Sequence, residues 1–421
     1  MGSKKVRNYS NKGVKNIENA DSSKTLKSQQ MKKQRQDNYT KIDKSPVTNP
    51  DSSNSSVHKT FLFVVLALLV ATTAVILTND NLKHFMISEI SEETAEFRLP
   101  IIDLDKAKVD QQAVAAQVVD ALENIGFLYV DNIHGIDFDK LMECCKWFFG
   151  QPKEVKESLM RKHWKPENQN VYRGYFPVVE GDPSRKEGFE FGRDIDPNDP
   201  TVQPGNWFYE PSVWPKENGS FPFKELLQNY YEILHNASLD VLRLAAVGLG
   251  IDEHSFDPIF ADRPVTTFRL MHYPPWNDAP PANAKIEDGK IITTPEHSDS
   301  NFLTMLYTFH YTGLEVLTAE GKWSAPEPRP GSFVMNIGDV FSRMMGGRFK
   351  ATRHRVLDIG VDRYSVPFFF EPSYDGDIGV NFMSLATGQG PEHKVEKYGP
   401  WMIQQVKYIK KYFEYKVLPE F

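Results

Sequence analysis

The sequence predicts a mainly β core with flanking helices, an antiparallel sandwich or barrel, preceded by one long apolar helix. Three observations predict it. After residue 261 come six short apolar runs separated by turn residues, VTTFRLMHY, SNFLTMLYT, GLEVLT, GSFVMNIG, HRVLDIG and RYSVPFFFEP, the pattern of paired antiparallel strands. Ahead of them lie segments with helical apolar spacing. Nearer the N-terminus, 19 residues from Thr60 to Thr78 carry no charge.

In chain order, residues 1–58 are rich in Ser, Asn, Lys and Gln. They bury too little apolar surface to offset the entropy of ordering, which predicts a disordered tail. Residues 1–59 hold 13 Lys or Arg against 5 acidic residues. The apolar stretch 60–78 reaches roughly 28 Å as a helix, close to a bilayer's hydrocarbon thickness, and is expected to span a membrane. Its downstream flank, residues 79–96, is acidic (Asp80, Glu89, Glu92, Glu93, Glu96). The positive-inside rule then places the N-terminus in the cytosol and the remainder in a lumen or outside the cell. Sequons at Asn218 and Asn236 fit that topology.

From Phe97 a mixed helical region is expected to reach residue 260. FRLPIIDL and GFLYVDN read as strands, and 110–124 as a helix capped by Asp110, with Val114, Val118, Leu122 and Ile125 on one face. Helices are also expected over 137–160 and 222–248, with 165–220 irregular between them. The β-rich part is expected over 261–380, followed by a C-terminal helical segment, 381–421, with its helix at about 399–416. Cys144 and Cys145 are adjacent, which argues against a bridge between them and against a Cys-based zinc site. A net charge of −7 gives no general reason to expect nucleic acid as a partner. Neither an internal repeat nor a glycine-rich phosphate loop is found.

Within the β-rich part, His297-Ser-Asp299 is followed 57 residues later by His354. Residues i and i+2 of a strand point to one side, so His297 and Asp299 can meet one ion, and a second imidazole completes a face of three ligands. Two imidazoles and one carboxylate suit Fe(II) with open positions for dioxygen and substrate. Zinc with a water would accept the same set. Arg363 and Ser365 share one side of the last apolar run and together offer a guanidinium and a hydroxyl to a carboxylate. Tyr273 adds a further hydroxyl.

These elements resemble the isopenicillin-N-synthase-like branch of the iron(II)/2-oxoglutarate-dependent oxygenases from about Leu99 to Pro372. LPIIDL, ENIGFLYV, NIHGI and RGYFP resemble its leading domain. HSDSNFLTML, NIGD, ATRHRV and RYSVPFFFEP resemble its catalytic core in order and spacing. The resemblance implies a double-stranded β-helix, or jelly roll, with His297, Asp299 and His354 as iron ligands. It also implies Arg363, Ser365 and Tyr273 as the site for the distal carboxylate of 2-oxoglutarate. The implied cofactors are Fe(II), 2-oxoglutarate and O2, with ascorbate as an accessory reductant. The implied reaction is hydroxylation or desaturation of a small molecule with release of succinate and CO2. An oxidase of the same fold that does not use 2-oxoglutarate, and a membrane-bound ligand-binding module without turnover, are the competing readings. Asn301 stands where many members have Gly, which predicts a pocket narrowed on that side. Tyr172, Arg173, Tyr175, Phe189 and Phe191 are expected to wall the pocket.

Overall fold

The computed structural model describes residues 97–408 except 197, 199–205, 218, 220, 277–279 and 388–392. Ile101–Asp103 forms β1 and turns at once into α1, Leu104–Val109. The strand stops there because the Asp103 carboxylate accepts hydrogen bonds from the backbone N–H groups of Asp105 and Lys106 and so caps a helix. Helix α2, Gln111–Asn124, starts on an Asp110 cap to Ala113 N–H and buries Val114, Val118 and Leu122. At Gly126 the backbone takes φ +74°, and a Cβ there would meet the Lys350 carbonyl. Strand β2, Phe127–Asp131, follows.

The helix expected over 137–160 is two helices. Helix α3, Phe138–Phe149, is capped by Asp137, and α4, Lys153–Ser158, begins after a Gly150-Gln151-Pro152 break. Proline has no N–H to continue the ladder and disfavours a helical residue before it. Cys144 and Cys145 are buried on α3 as free thiols. The stretch expected to be irregular contains two strands, β3 (Gly174–Phe176) and β4 (Glu187–Phe191). Helix α5, Phe223–Leu249, ends on Gly250 in the left-handed region, as helices with glycine just past the last turn do.

The remaining strands are β5 (Thr267–Tyr273), β6 (Ile286–Glu287), β7 (Lys290–His297), β8 (Leu303–Tyr307), β9 (Leu314–Leu317), β10 (Trp323–Ser324), β11 (Phe333–Ile337), β12 (His354–Leu357) and β13 (Arg363–Phe370). Each of the six expected apolar runs holds one of them. Short helix α6 (Asp339–Met344) precedes β12; α7 (Phe382–Thr387) and α8 (Tyr398–Tyr408) follow β13. An eight-stranded sheet runs β1-β2-β11-β8-β13-β5-β4-β3, and a five-stranded sheet runs β10-β9-β12-β7-β6. Pairings between these strands are antiparallel apart from β1 with β2. This is the expected jelly roll. Strands from before and after residue 261 hydrogen-bond in one sheet.

Alternation gives the large sheet two distinct faces. On the outer face Phe189, Phe191, Phe368 and Phe370 pack against Phe148, Trp214, Tyr231 and His235, with ring centroids 4.4–5.2 Å apart. The inner face looks toward the small sheet and carries the polar residues described below.

The membrane localisation expected from the sequence is corrected. No helix among the described residues is long and apolar enough to cross a membrane. The longest, the 27-residue α5, is amphipathic, with Lys224, Glu225, Glu232, Asp240 and Arg243 along it. The tail 1–58, the stretch 60–78 and the linker 79–96 lie outside the described residues, so the cytosolic-to-lumenal topology is not retained. Asn218 is outside them too, and Asn236 is exposed on α5.

Candidate metal centre

The expectation that one strand carries both residues of the His-x-Asp pair needs one refinement. Strand β7 ends at His297, and Asp299 sits in the turn that leads to β8. His354 opens β12 and is the register partner of His297, so the small sheet brings the two imidazoles together, with centroids 4.2 Å apart. Among the described residues these three form a cluster able to hold a metal ion, with one donor atom each and all donors within 4.8 Å of one another.

Hydrogen bonds decide which atoms are left to ligate. His297 Nδ1 lies 2.8 Å from the Pro295 carbonyl and His354 Nδ1 lies 3.3 Å from the Thr352 carbonyl. Donation to those carbonyls leaves each Nε2 as a lone pair. Asp299 Oδ2 accepts from Thr304 Oγ1 at 2.6 Å and from Asn336 Nδ2 at 2.8 Å. Its other oxygen, Oδ1, faces both Nε2 atoms at 3.7 Å. One free carboxylate oxygen and two free imidazole nitrogens fit a divalent cation such as Fe(II). Burial works against the Asp299 carboxylate, but His354, His297, Asn336 and Thr304 together hold it below its ordinary value. Desolvation, and then the His354 ring, push the His297 imidazole down, toward the neutral form that ligates.

Thr304 and Asn336 were not singled out from the sequence. Both lie on the inner face of the large sheet, Asn336 as the register partner of Thr304. The Thr304 hydroxyl is itself aimed by Asn301, whose Nδ2 donates to it at 2.8 Å. The expectation that Asn301 narrows the pocket is therefore corrected. Its side chain is buried in the turn, where it bonds Thr304 and the Leu303 carbonyl.

The residues expected to hold a carboxylate also come together. Arg363 and Ser365 are buried on β13, and Tyr273 is the register partner of Arg363. The Arg363 guanidinium lies 3.6 Å from the centre of the Tyr273 ring and donates to the Leu357 carbonyl at 3.3 Å. Burial opposes ionisation of the Tyr273 phenol, yet the Arg363 charge, Lys186, a hydrogen bond to Ser365 and Arg269 bring it below its ordinary value. Lys186 precedes β4 and donates to Thr294 Oγ1 on β7 at 2.9 Å, linking the two sheets. The wall residues divide. Phe189 and Phe191 belong to the outer core, and Tyr175 donates to Glu187. Tyr172 reaches Thr267 Oγ1 at 3.4 Å, and the buried Arg173 guanidinium packs against Gly192.

Comparison with known proteins accords with this geometry. Residues 265–372 match the 2OG-Fe(II) oxygenase superfamily, and residues 99–217 match the N-terminal region described as non-haem dioxygenase in morphine synthesis. The 2-oxoglutarate-dependent dioxygenase citB of Monascus ruber is 30% identical over 328 residues, covering 72% of this chain and 95% of its own. The chain belongs to the 2OG-Fe(II) oxygenase superfamily. Among other relatives of this oxygenase, isopenicillin N synthase of Streptomyces clavuligerus is 27% identical, covering 72% of this chain and 91% of its own. A full-length Neurospora crassa protein, solved in complex with alpha-KG and 5-formyluracil, superposes with a TM-score of 0.58 at 26% identity, covering 73% of this chain and 95% of that one. The oxygenase is thus an Fe(II)- and 2-oxoglutarate-dependent dioxygenase, an oxidoreductase whose co-substrates are 2-oxoglutarate and O2.

Proposed function

We infer that His297, Asp299 and His354 hold the iron, and that Arg363, Ser365 and Tyr273 hold the distal carboxylate of 2-oxoglutarate. The enzyme would then hydroxylate or desaturate a small organic substrate while releasing succinate and CO2. One observation carries the reading. Asp299 has one oxygen engaged by Thr304 and Asn336 and the other aimed at two imidazole nitrogens that are themselves oriented by backbone carbonyls. A carboxylate that merely paired with a histidine would not need both histidines fixed by their far nitrogens.

Iron(II) bound there supplies activation of dioxygen coupled to oxidation of the 2-oxo acid. The chain's own residues orient and exclude. Arg363 is nearly dry, so its charge acts with little screening on a carboxylate. Its guanidinium stacks 3.6 Å from the centre of the Tyr273 ring, and Ser365, two residues along the same strand face, adds a hydroxyl. The test is turnover of 2-oxoglutarate to succinate by the purified chain with Fe(II) and ascorbate, with and without a chelator. Chelator-sensitive succinate formation is expected. Substrate oxidation without succinate would instead assign Arg363 to the substrate's own carboxylate.

A further inference from the structure

Lys186 carries a charge that neither the metal nor the 2-oxoglutarate reading uses. It lies just ahead of β4, where Glu187 is the register partner of His272 on β5. One residue back, Lys186 comes level with Tyr273, and Tyr273 is in turn the register partner of Arg363 on β13. Lys186 shares its strand parity with Gly188 and Glu190, so it points to the inner side together with Tyr273 and Arg363. Neighbouring strands lie about 4.8 Å apart, which sets the two cations on either side of one tyrosine.

The lysine reaches across to the small sheet. Its Nζ donates to Thr294 Oγ1 on β7 at 2.9 Å, and among the described residues no carboxylate forms an ion pair with it. Strands β7 and β12 are out of step at this point. His297 pairs with His354, but Thr294, three residues back, pairs with Val356, two residues on. His354 and Val356 point to one side, so the bulge turns Thr294 to the side of the two imidazoles of the metal triad. The ammonium therefore stands between the imidazole pair on one sheet and the Tyr273–Arg363 pair on the other. Its charge is felt by both the His297 ring and the Tyr273 phenol.

A half-buried cation with only a neutral hydroxyl for company is incompletely compensated for the water it has lost. Glu187, next in the chain, faces the other way and is engaged by Lys156, Tyr175 and His272. Arg363 reaches over the Tyr273 ring, which is toward the β4 side of β13. An anion seated on that row meets a guanidinium from one side and an ammonium from the other.

We propose that Lys186 is a second cation for 2-oxoglutarate, donating to its distal carboxylate from the side opposite Arg363, with Thr294 steadying the ammonium. This rests on the reading of Arg363, Ser365 and Tyr273 given above. It also makes the co-substrate site a joint construction, since Lys186 comes from the region 99–217 and Arg363 from the region 265–372.

The test uses the full chain with Fe(II) under anaerobic conditions. Calorimetry compares 2-oxoglutarate with 2-oxopentanoate, which has the same carbon chain without the distal carboxylate. Lys186→Met is expected to weaken 2-oxoglutarate about tenfold, the size of one charge-assisted hydrogen bond, and to leave 2-oxopentanoate as weak as in wild type. Lys186→Arg keeps the cation and is expected to retain most of the affinity. Thr294→Val removes the tie between the sheets but keeps the ammonium, so its affinity for 2-oxoglutarate stays near wild type. Unchanged 2-oxoglutarate binding by Lys186→Met overturns the proposal. So does an equal loss for both acids, which would place the ammonium at the metal end. A loss in Thr294→Val that matches Lys186→Met, with matching drops in thermal midpoint, overturns it too, because Lys186 is then a strut between the sheets. Failure of the wild-type chain to bind 2-oxoglutarate, or an affinity that Arg363→Gln leaves unmoved, brings down the site reading itself, and both outcomes are visible without any change at Lys186.

Discussion

The two faces of the eight-stranded sheet are built from alternate residues of the same strands, yet they do different work. On β13, Tyr364, Val366, Phe368 and Phe370 point outward, where Phe368 meets Tyr231 and Phe370 meets His235. Arg363, Ser365, Pro367 and Phe369 point inward. The outer face is an aromatic core sealed by α3 and α5, and its stability comes from burial and packing. The inner face devotes buried positions to guanidiniums and carboxylates, which add little to stability and much to recognition in a medium that screens weakly. Folding and chemistry are therefore separable here by parity alone: a one-residue change of register would exchange them.

Substitutions on either face test that separation. The greatest loss is expected for His354→Ala, which removes one imidazole of the proposed iron site from the small-sheet side. Succinate formation should fall to the chelated background while far-ultraviolet circular dichroism is unchanged, and retained turnover would remove His354 from the iron site. Next comes an outer-face truncation. Phe368→Ala should cost about 3–5 kcal/mol of unfolding free energy in a urea titration, with loss of activity that follows the unfolded fraction. Arg363→Gln, on the inner face of the same strand, should do the reverse. The Michaelis constant for 2-oxoglutarate should rise about 10- to 100-fold, the cost of a lost charged hydrogen bond, with the urea midpoint nearly unmoved. Thr304→Val is isosteric and removes the hydroxyl donor to Asp299, so metal affinity should weaken about tenfold in a competitive chelator titration.

The slightest effect is a pH dependence on the outer face. Burial disfavours protonated His272, but Glu187 at 2.7 Å from Nδ1 and Asp362 at 2.7 Å from Nε2 outweigh it and raise the ring above its ordinary value. A group whose pKa is higher in the folded state stabilises most when protonated. Its contribution is therefore complete below the ordinary histidine value and is lost as pH rises through the raised one. The melting temperature of the wild type should decline across that alkaline-going window, and that of His272→Asn should not. An identical decline in both would assign the pH response to another group.

Some of this was already in the sequence. The six apolar runs with turn residues between them forced antiparallel strands, because only that pattern buries alternate residues along short segments. The spacing of His297, Asp299 and His354 predicted a metal-capable cluster, and the structure brings the three together. The cap at Asp110 set a helix start through local hydrogen bonding. What the sequence could not settle were matters of long-range pairing. Strands β3 and β4 sit in a Pro- and Gly-rich stretch whose local signal is weak, and they form because β5 offers an open edge. That pairing puts Glu190 opposite Arg269, 79 residues away in the chain. The same is true of Thr304 and Asn336, which look like ordinary polar positions until β8 and β11 align and aim them at Asp299. Local chemistry fixed which residues are able to ligate; long-range strand pairing settled which of them meet.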